Sequence, residues 1–136
     1  MEESKFCNIC NKNNNCSKVN DMLDIKPLCY IKKYNIVTLC GSTKFKDIFF
    51  QEQKRLTLEG NIVISVGLFG HSGDNEVWAD GTKEMLDDMH KRKIDMANEI
   101  FVIDVNRYIG NSTMSETKYA IKTGKNVKYY SETTSN

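Results

Sequence analysis

Four short stretches of this chain carry side chains able to do chemistry. Glu116 follows Gly110-Asn111-Ser112-Thr113-Met114-Ser115, where an apolar run gives way to a helix-forming one. A carboxylate near a helix start can attack an anomeric carbon, as glycosyl-transferring carboxylates do. The same residue, three positions after Thr113, also fits a capping box, and spacing leaves both readings open. Gly41-Ser42-Thr43-Lys44 lies between another apolar run and an amphipathic segment. Free backbone N–H groups at a helix start favour an anion there, and the Ser42 and Thr43 hydroxyls with the Lys44 cation would add contacts to phosphate. It is not a Walker loop, and the alternative is a glycine turn with Ser42 or Thr43 as a plain cap. His90, in Met89-His90-Lys91-Arg92-Lys93, titrates near neutrality, as a proton donor to a departing base requires. A solvated basic face is the other reading, with Arg92 either part of it or a phosphate ligand. Trp78 and Tyr108 can stack on a base or simply pack. His71 and Asp74 can contact a ligand, and nothing in their spacing indicates a metal.

Four of the five cysteines, Cys7, Cys10, Cys16 and Cys29, precede residue 30. They supply the ligand count of a structural zinc site, but only the first pair has the C-x-x-C spacing. A metal-free arm is therefore preferred over zinc. Cys40, ending an apolar run, reads as a small buried residue rather than a ligand.

These residues need a framework to bring them together. The 136 residues suit one domain, and 40% hydrophobic with 27% charged content can build a core without disulfides. Nineteen basic against 18 acidic side chains leave +1, which gives no broad footprint for nucleic acid or an anionic membrane. No apolar run approaches the ~20 residues of a membrane span, and the N-terminus lacks a signal peptide's apolar stretch. A cytoplasmic protein is expected, with neither membrane nor nucleic acid as a partner.

Residues 1–33 form an Asn-rich polar arm holding the only proline, Pro27. From Tyr34 short apolar runs alternate with amphipathic segments, a βαβ pattern. Strands are expected at 36–40, 61–66, 100–105 and 126–130, with helices at 45–58, 82–98 and about 112–122. A glycine-rich loop occupies 67–80, longer than loops without function usually are. Right-handed crossovers then require an α/β fold, a flavodoxin- or Rossmann-like three-layer sandwich around a small parallel sheet of about four strands. Its ligand edge lies at the strands' carboxyl ends, where the loops beginning at Cys40, Gly67 and Asn106 gather. The domain spans 34–130, and 131–136 reads as a frayed tail.

The combination of strand-Gly41-Ser42-Thr43-Lys44, a helix ending before Asn98-Glu99-Ile100-Phe101-Val102-Ile103, then Gly110 to Glu116-Thr117-Lys118-Tyr119-Ala120 and Gly124-Lys125-Asn126-Val127 resembles nucleoside 2-deoxyribosyltransferases and the related deoxynucleoside-monophosphate N-glycosidases. The resemblance runs from the first strand to the last. It implies that Glu116 is a nucleophile forming a glycosyl-enzyme intermediate. It also implies that Gly41, Ser42 and Lys44 surround the sugar or a 5′-phosphate, that Gly110 and Ser112 touch substrate, and that the protein is a homodimer or larger. The family places an Asp seven or eight residues before the acidic residue ending the middle helix. Here those positions are Arg92 and Lys91, so His90, Asp95 or Asp104 would have to handle the proton.

Hydrolysis or transfer at the N-glycosidic bond of a nucleoside or nucleotide is the expected function, with no cofactor required. A nucleotide-binding sensor or partner-recognition module without chemistry is the alternative, and an NAD-type glycohydrolase a third. The change of texture at Tyr34 makes the arm dispensable for folding the core: a chain beginning near Lys32 should unfold cooperatively, and loss of a soluble folded state would reject that division.

Overall fold

The computed structural model describes residues 31–134. The chain divides into two units, Met1–Lys33 and Tyr34–Asn136. The arm cysteines Cys7, Cys10, Cys16 and Cys29 lie outside the described residues. In the second unit the order is β1 (Asn35–Gly41), α1 (Lys46–Leu58), β2 (Asn61–Ile64), α2 (Thr82–Asp95), β3 (Glu99–Ile103), α3 (Asn111–Lys122), β4 (Asn126–Tyr129) and α4 (Tyr130–Thr133). Short 3-10 turns occupy 43–45, 70–72, 75–78 and 105–107. No helix among the described residues is long and apolar enough to cross a membrane.

All four strands are parallel, in the order β2-β1-β3-β4. The period-two alternation of each strand sends its residues to opposite layers. Val37 and Leu39 of β1 and Phe101 and Ile103 of β3 pack with Phe49 and Leu56 of α1 and with Phe69. Cys40, Ile100 and Val102 face the other way, onto Ile94 of α2 and Ala120 of α3. This is the expected three-layer α/β fold. β3 is buried along its whole length, as a strand covered on both faces must be.

The chain leaves β1 toward β2 on one side and returns to β3 on the other, so the β1 and β3 loops diverge. A crevice opens between them, which is where doubly wound sheets bind ligands. Gly41 sits opposite Ile103 in the β1–β3 register. A Cβ on Gly41 would stand 2.9 Å from the Ile103 carbonyl oxygen, so only glycine lets the two strands stay paired to the crevice floor.

Several boundaries differ from the sequence expectation. α2 stops at Asp95 because Asn98 is committed to β1: its backbone N–H donates to the Ile36 carbonyl and its side-chain oxygen accepts from the Ile36 N–H, both at 2.8 Å. β2 ends at Ile64, short of Val66. The segment read as a frayed tail begins with one helical turn, because the Asp104 carboxylate accepts from the Ser131 N–H at 2.8 Å and the Ser131 hydroxyl at 2.7 Å.

Gly41→Ala should cost about 1 to 3 kcal/mol, the usual penalty for atoms forced into a packed site. A urea midpoint equal to the parent's would show that this close approach is not needed.

Candidate active site

A cavity of about 450 Å³ opens at the carboxyl edge, within the usual range for small-molecule sites. The first turn contributes Gly41, Ser42 and Thr43, the glycine-rich loop His71 and Trp78, and the last loop Tyr108, Gly110 and Ser112, with His90 and Glu116 also lining it. A hollow of about 420 Å³ at the opposite edge is lined by Asn35, Glu99 and Lys128. Its polar groups pair with one another, Asn35 donating to Glu99 at 3.1 Å and Lys128 lying 3.6 Å from Glu99, so the carboxyl-edge cavity carries the free chemistry.

The first turn and the glycine-rich loop are tied together. The Ser42 hydroxyl accepts from the Lys44 N–H and caps the 3-10 turn. Thr43 holds the loop: its Oγ1 lies 3.0 Å from His71 Nδ1 and accepts the His71 backbone N–H at 3.1 Å, while its carbonyl accepts from the Ser72 hydroxyl at 2.8 Å. The His71 ring meets Trp78 edge-on at 5.2 Å. In the β3–α3 loop Asn106 and Arg107 are left-handed, at φ 54° and 64°. That conformation costs a non-glycine residue about 1 kcal/mol or more, and it places Tyr108 at the rim.

Glu116 is not part of a capping box. α3 begins at Asn111 with Gly110 at the N-cap, so Thr113 and Glu116 are both inside the helix and buried. The carboxyl points at α2, where Glu116 Oε1 lies 3.8 Å from His90 Nε2. That same nitrogen lies 3.4 Å from Cys40 Sγ. The three residues are 8%, 6% and 0% exposed respectively, and their ligand atoms all lie within 4.8 Å of one another. This set of donors is chemically able to hold a divalent ion.

Burial decides the charge state. Desolvation, with the Asp87 carboxylate nearby, pushes Glu116 up to about 8. Desolvation and the Lys93 cation push His90 down to about 4. Between those values both groups are neutral, and the 3.8 Å contact is a carboxylic acid beside a neutral imidazole rather than an ion pair. Burial, followed by Glu116, also holds the Cys40 thiol well above its ordinary value.

Five sequence candidates, Lys44, Arg92, Asp95, Asp104 and Asp74, lie outside the cavity lining. Lys44 turns its Nζ onto the Tyr108 ring, 3.6 Å from the centroid, a cation–π contact that takes it from the first turn. Arg92 pairs with Asp95 at 3.0 Å and reaches the Tyr119 hydroxyl. Asp95 in turn accepts from Tyr119. Asp104 is spent on Ser131, and Asp74 accepts from the Phe69 N–H at 2.7 Å within its own loop.

Sequence reasoning passed over Lys83 and Asp87 and read Cys40 only as a small buried residue. Lys83 and Asp87 line the cavity beside His90, on the one face of α2 that positions 83, 87 and 90 share. Lys83 Nζ donates to Asp87 at 2.9 Å and to the Ser112 hydroxyl at 3.2 Å, which sets a cation at the start of α3, whereas the sequence expectation places one, Lys44, at the first turn. The i, i+3 and i, i+4 spacing was visible in the sequence; the element it faces was not. No family model, curated protein or solved structure matches the chain.

A raised carboxyl stabilises the fold below its unfolded value, near 4.5, and loses that contribution as pH climbs to about 8. The depressed His90 acts oppositely, losing stability as pH falls from 6.5 to about 4. Between pH 6.5 and 8 the parent should therefore lose about 2 kcal/mol that Glu116→Gln keeps. Parallel urea titrations at the two pH values check this, and equal losses in both proteins would place Glu116 in water.

Proposed function

We propose that the protein cleaves or exchanges the N-glycosidic bond of a nucleoside or nucleotide, with Glu116 as nucleophile. The observation that carries the reading is a buried carboxyl at the ligand edge of a doubly wound sheet, with His90 and Asp87 beside it in a cavity of nucleoside size. Such a group is poorly suited to stabilising the fold and well suited to reacting. The resemblance of the Gly110-to-Ala120 segment to deoxyribosyltransferases and N-glycosidases supports the same chemistry.

Glu116 Oε attacks C1′, the C1′–N bond breaks, and its electron pair leaves on the base nitrogen. Neutral Glu116 must shed a proton to attack, and the departing base must gain one. His90 and Asp87, both on the cavity side of α2, are positioned to carry that proton between them, in place of the Asp that the family has one turn further along. Water or a second base then attacks C1′ and frees the carboxyl. Trp78 and Tyr108 offer faces to the base. Lys83, with the backbone N–H groups that begin α3, offers the charge for a 5′-phosphate. A cytoplasmic setting suits the Cys40 thiol, and a second copy completing the cavity is part of this reading by resemblance.

Purified protein with chelator present, incubated with nucleosides, nucleoside monophosphates and NAD, should release free base from one class, detected by chromatography. Glu116→Gln should lower that release by orders of magnitude, since no ester forms without the carboxylate. Because the reaction uses the proton shared by the pair, kcat/KM should fall above about pH 8, where Glu116 loses it, and below about pH 4, where His90 gains one. The charges facing the pair are Asp87, Lys83, Lys91 and Lys93, and their neutralisation should move these limbs. Binding of nucleotides without base release would establish the sensor reading instead; base released from NAD alone would make the protein a dinucleotide glycohydrolase.

A further inference from the structure

We infer that Cys40, His90 and Glu116 form a three-ligand site for a zinc-type divalent ion, with its fourth coordination position opening into the cavity. The three donors come from β1, α2 and α3, so the tertiary fold alone assembles them. Around tetrahedral zinc, with bonds of about 2.0 to 2.3 Å, donors stand roughly 3.3 to 3.8 Å apart. Sγ to Nε2 is 3.4 Å and Nε2 to Oε1 is 3.8 Å, with all separations within 4.8 Å. Two edges of the coordination polyhedron thus exist already, and a small shift of the Glu116 side chain supplies the third.

The surroundings fit the same ion. The Leu39 backbone neighbours the His90 ring and favours its charged form, and a neighbouring backbone group of this kind can orient a ligating imidazole. A thiolate, an imidazole and a carboxylate are a borderline-soft set that suits zinc and not magnesium or calcium, which take oxygen. Binding displaces one proton from Cys40 and one from Glu116. Two anionic donors then balance the 2+ charge, and the buried complex is neutral, which removes most of the cost of placing an ion there. His90 and Glu116 line the cavity, so the ion has a path in, and its open position faces the place where substrate sits.

Occupation also has a consequence for reactivity, and this part rests on the glycosidic reading. A zinc-bound Glu116 oxygen no longer has its electron pair free for C1′. Zinc therefore switches the site off, and chelation restores it.

The test uses the full chain with Cys7, Cys10, Cys16 and Cys29 replaced by Ser, which leaves Cys40 as the sole thiol. Cobalt(II) added to the chelator-treated protein should give a thiolate-to-metal charge-transfer band and tetrahedral visible bands that saturate at one equivalent and disappear with zinc. Cys40→Ser should abolish the charge-transfer band, and His90→Ala and Glu116→Gln should each weaken binding at least tenfold, with circular dichroism and thermal midpoints showing that each variant is folded. Should a variant not fold, the charge-transfer band of the Cys40-only protein still decides, since only this thiol can produce it. No band, or binding of zinc unaffected by Cys40→Ser, would overturn the site. Base release by the metal-free protein should drop at least tenfold with one equivalent of zinc. Undiminished release would overturn the switch while leaving the site; absence of release from the metal-free protein would defeat the glycosidic reading, and the cobalt spectrum would still stand for the metal.

Discussion

Everything at the site depends on the pairing of β1 with β3. Their register sets Cys40 against Val102 and Gly41 against Ile103, and the missing Gly41 side chain lets that contact continue to the strand ends. Because β2 lies on the far side of β1, the chain turns one way after Gly41 and the other way after Ile103. The crevice follows from that divergence. So does its floor, because Cys40 faces the layer in which α2 and α3 pack.

Other buried polar groups show by contrast what is unusual about Cys40, His90 and Glu116. Thr38 is fully buried and donates to the Lys93 carbonyl at 3.0 Å, Glu52 is matched by Arg55 at 2.7 Å, and Asp104 is matched by Ser131. Each is a satisfied group serving the fold. The three-residue cluster instead holds its groups neutral by desolvation, next to open space. An ionisable group kept from its preferred charge state is a cost to stability, and it persists where reactivity or ligation compensates. The left-handed Asn106 and Arg107 add strain at the same edge.

The two functional readings of the cluster are linked by one electron pair. On the proposed function the metal-free Glu116 gives it to carbon, and on the inferred metal site the occupied state gives it to the ion. Low dielectric sharpens both, since a charge or dipole in a dry site acts more strongly than in water. Trp78, Tyr108 and Lys83 line the same cavity as the buried Glu116.

The sequence by itself determined the alternation of strands and helices, the parallel three-layer fold, the ligand edge, and Glu116 and His90 as residues of interest. Apolar periodicity and glycine stops are local properties, legible without tertiary contacts. Tertiary structure decided the rest. A capping box and a buried carboxyl share the same local pattern at Thr113 and Glu116, and only the packing of α3 against α2 separates them. Lys44 reads as a phosphate ligand until Tyr108, distant in sequence, takes its cation. Cys40 reads as a small core residue, and burial is correct, but its proximity to His90 and Glu116 requires the strand order. Asp87 and Lys83 carried the right helical spacing, yet a spacing defines a face without naming what it faces. Contacts between residues far apart in sequence are set by how the layers stack, and no window of sequence contains that information.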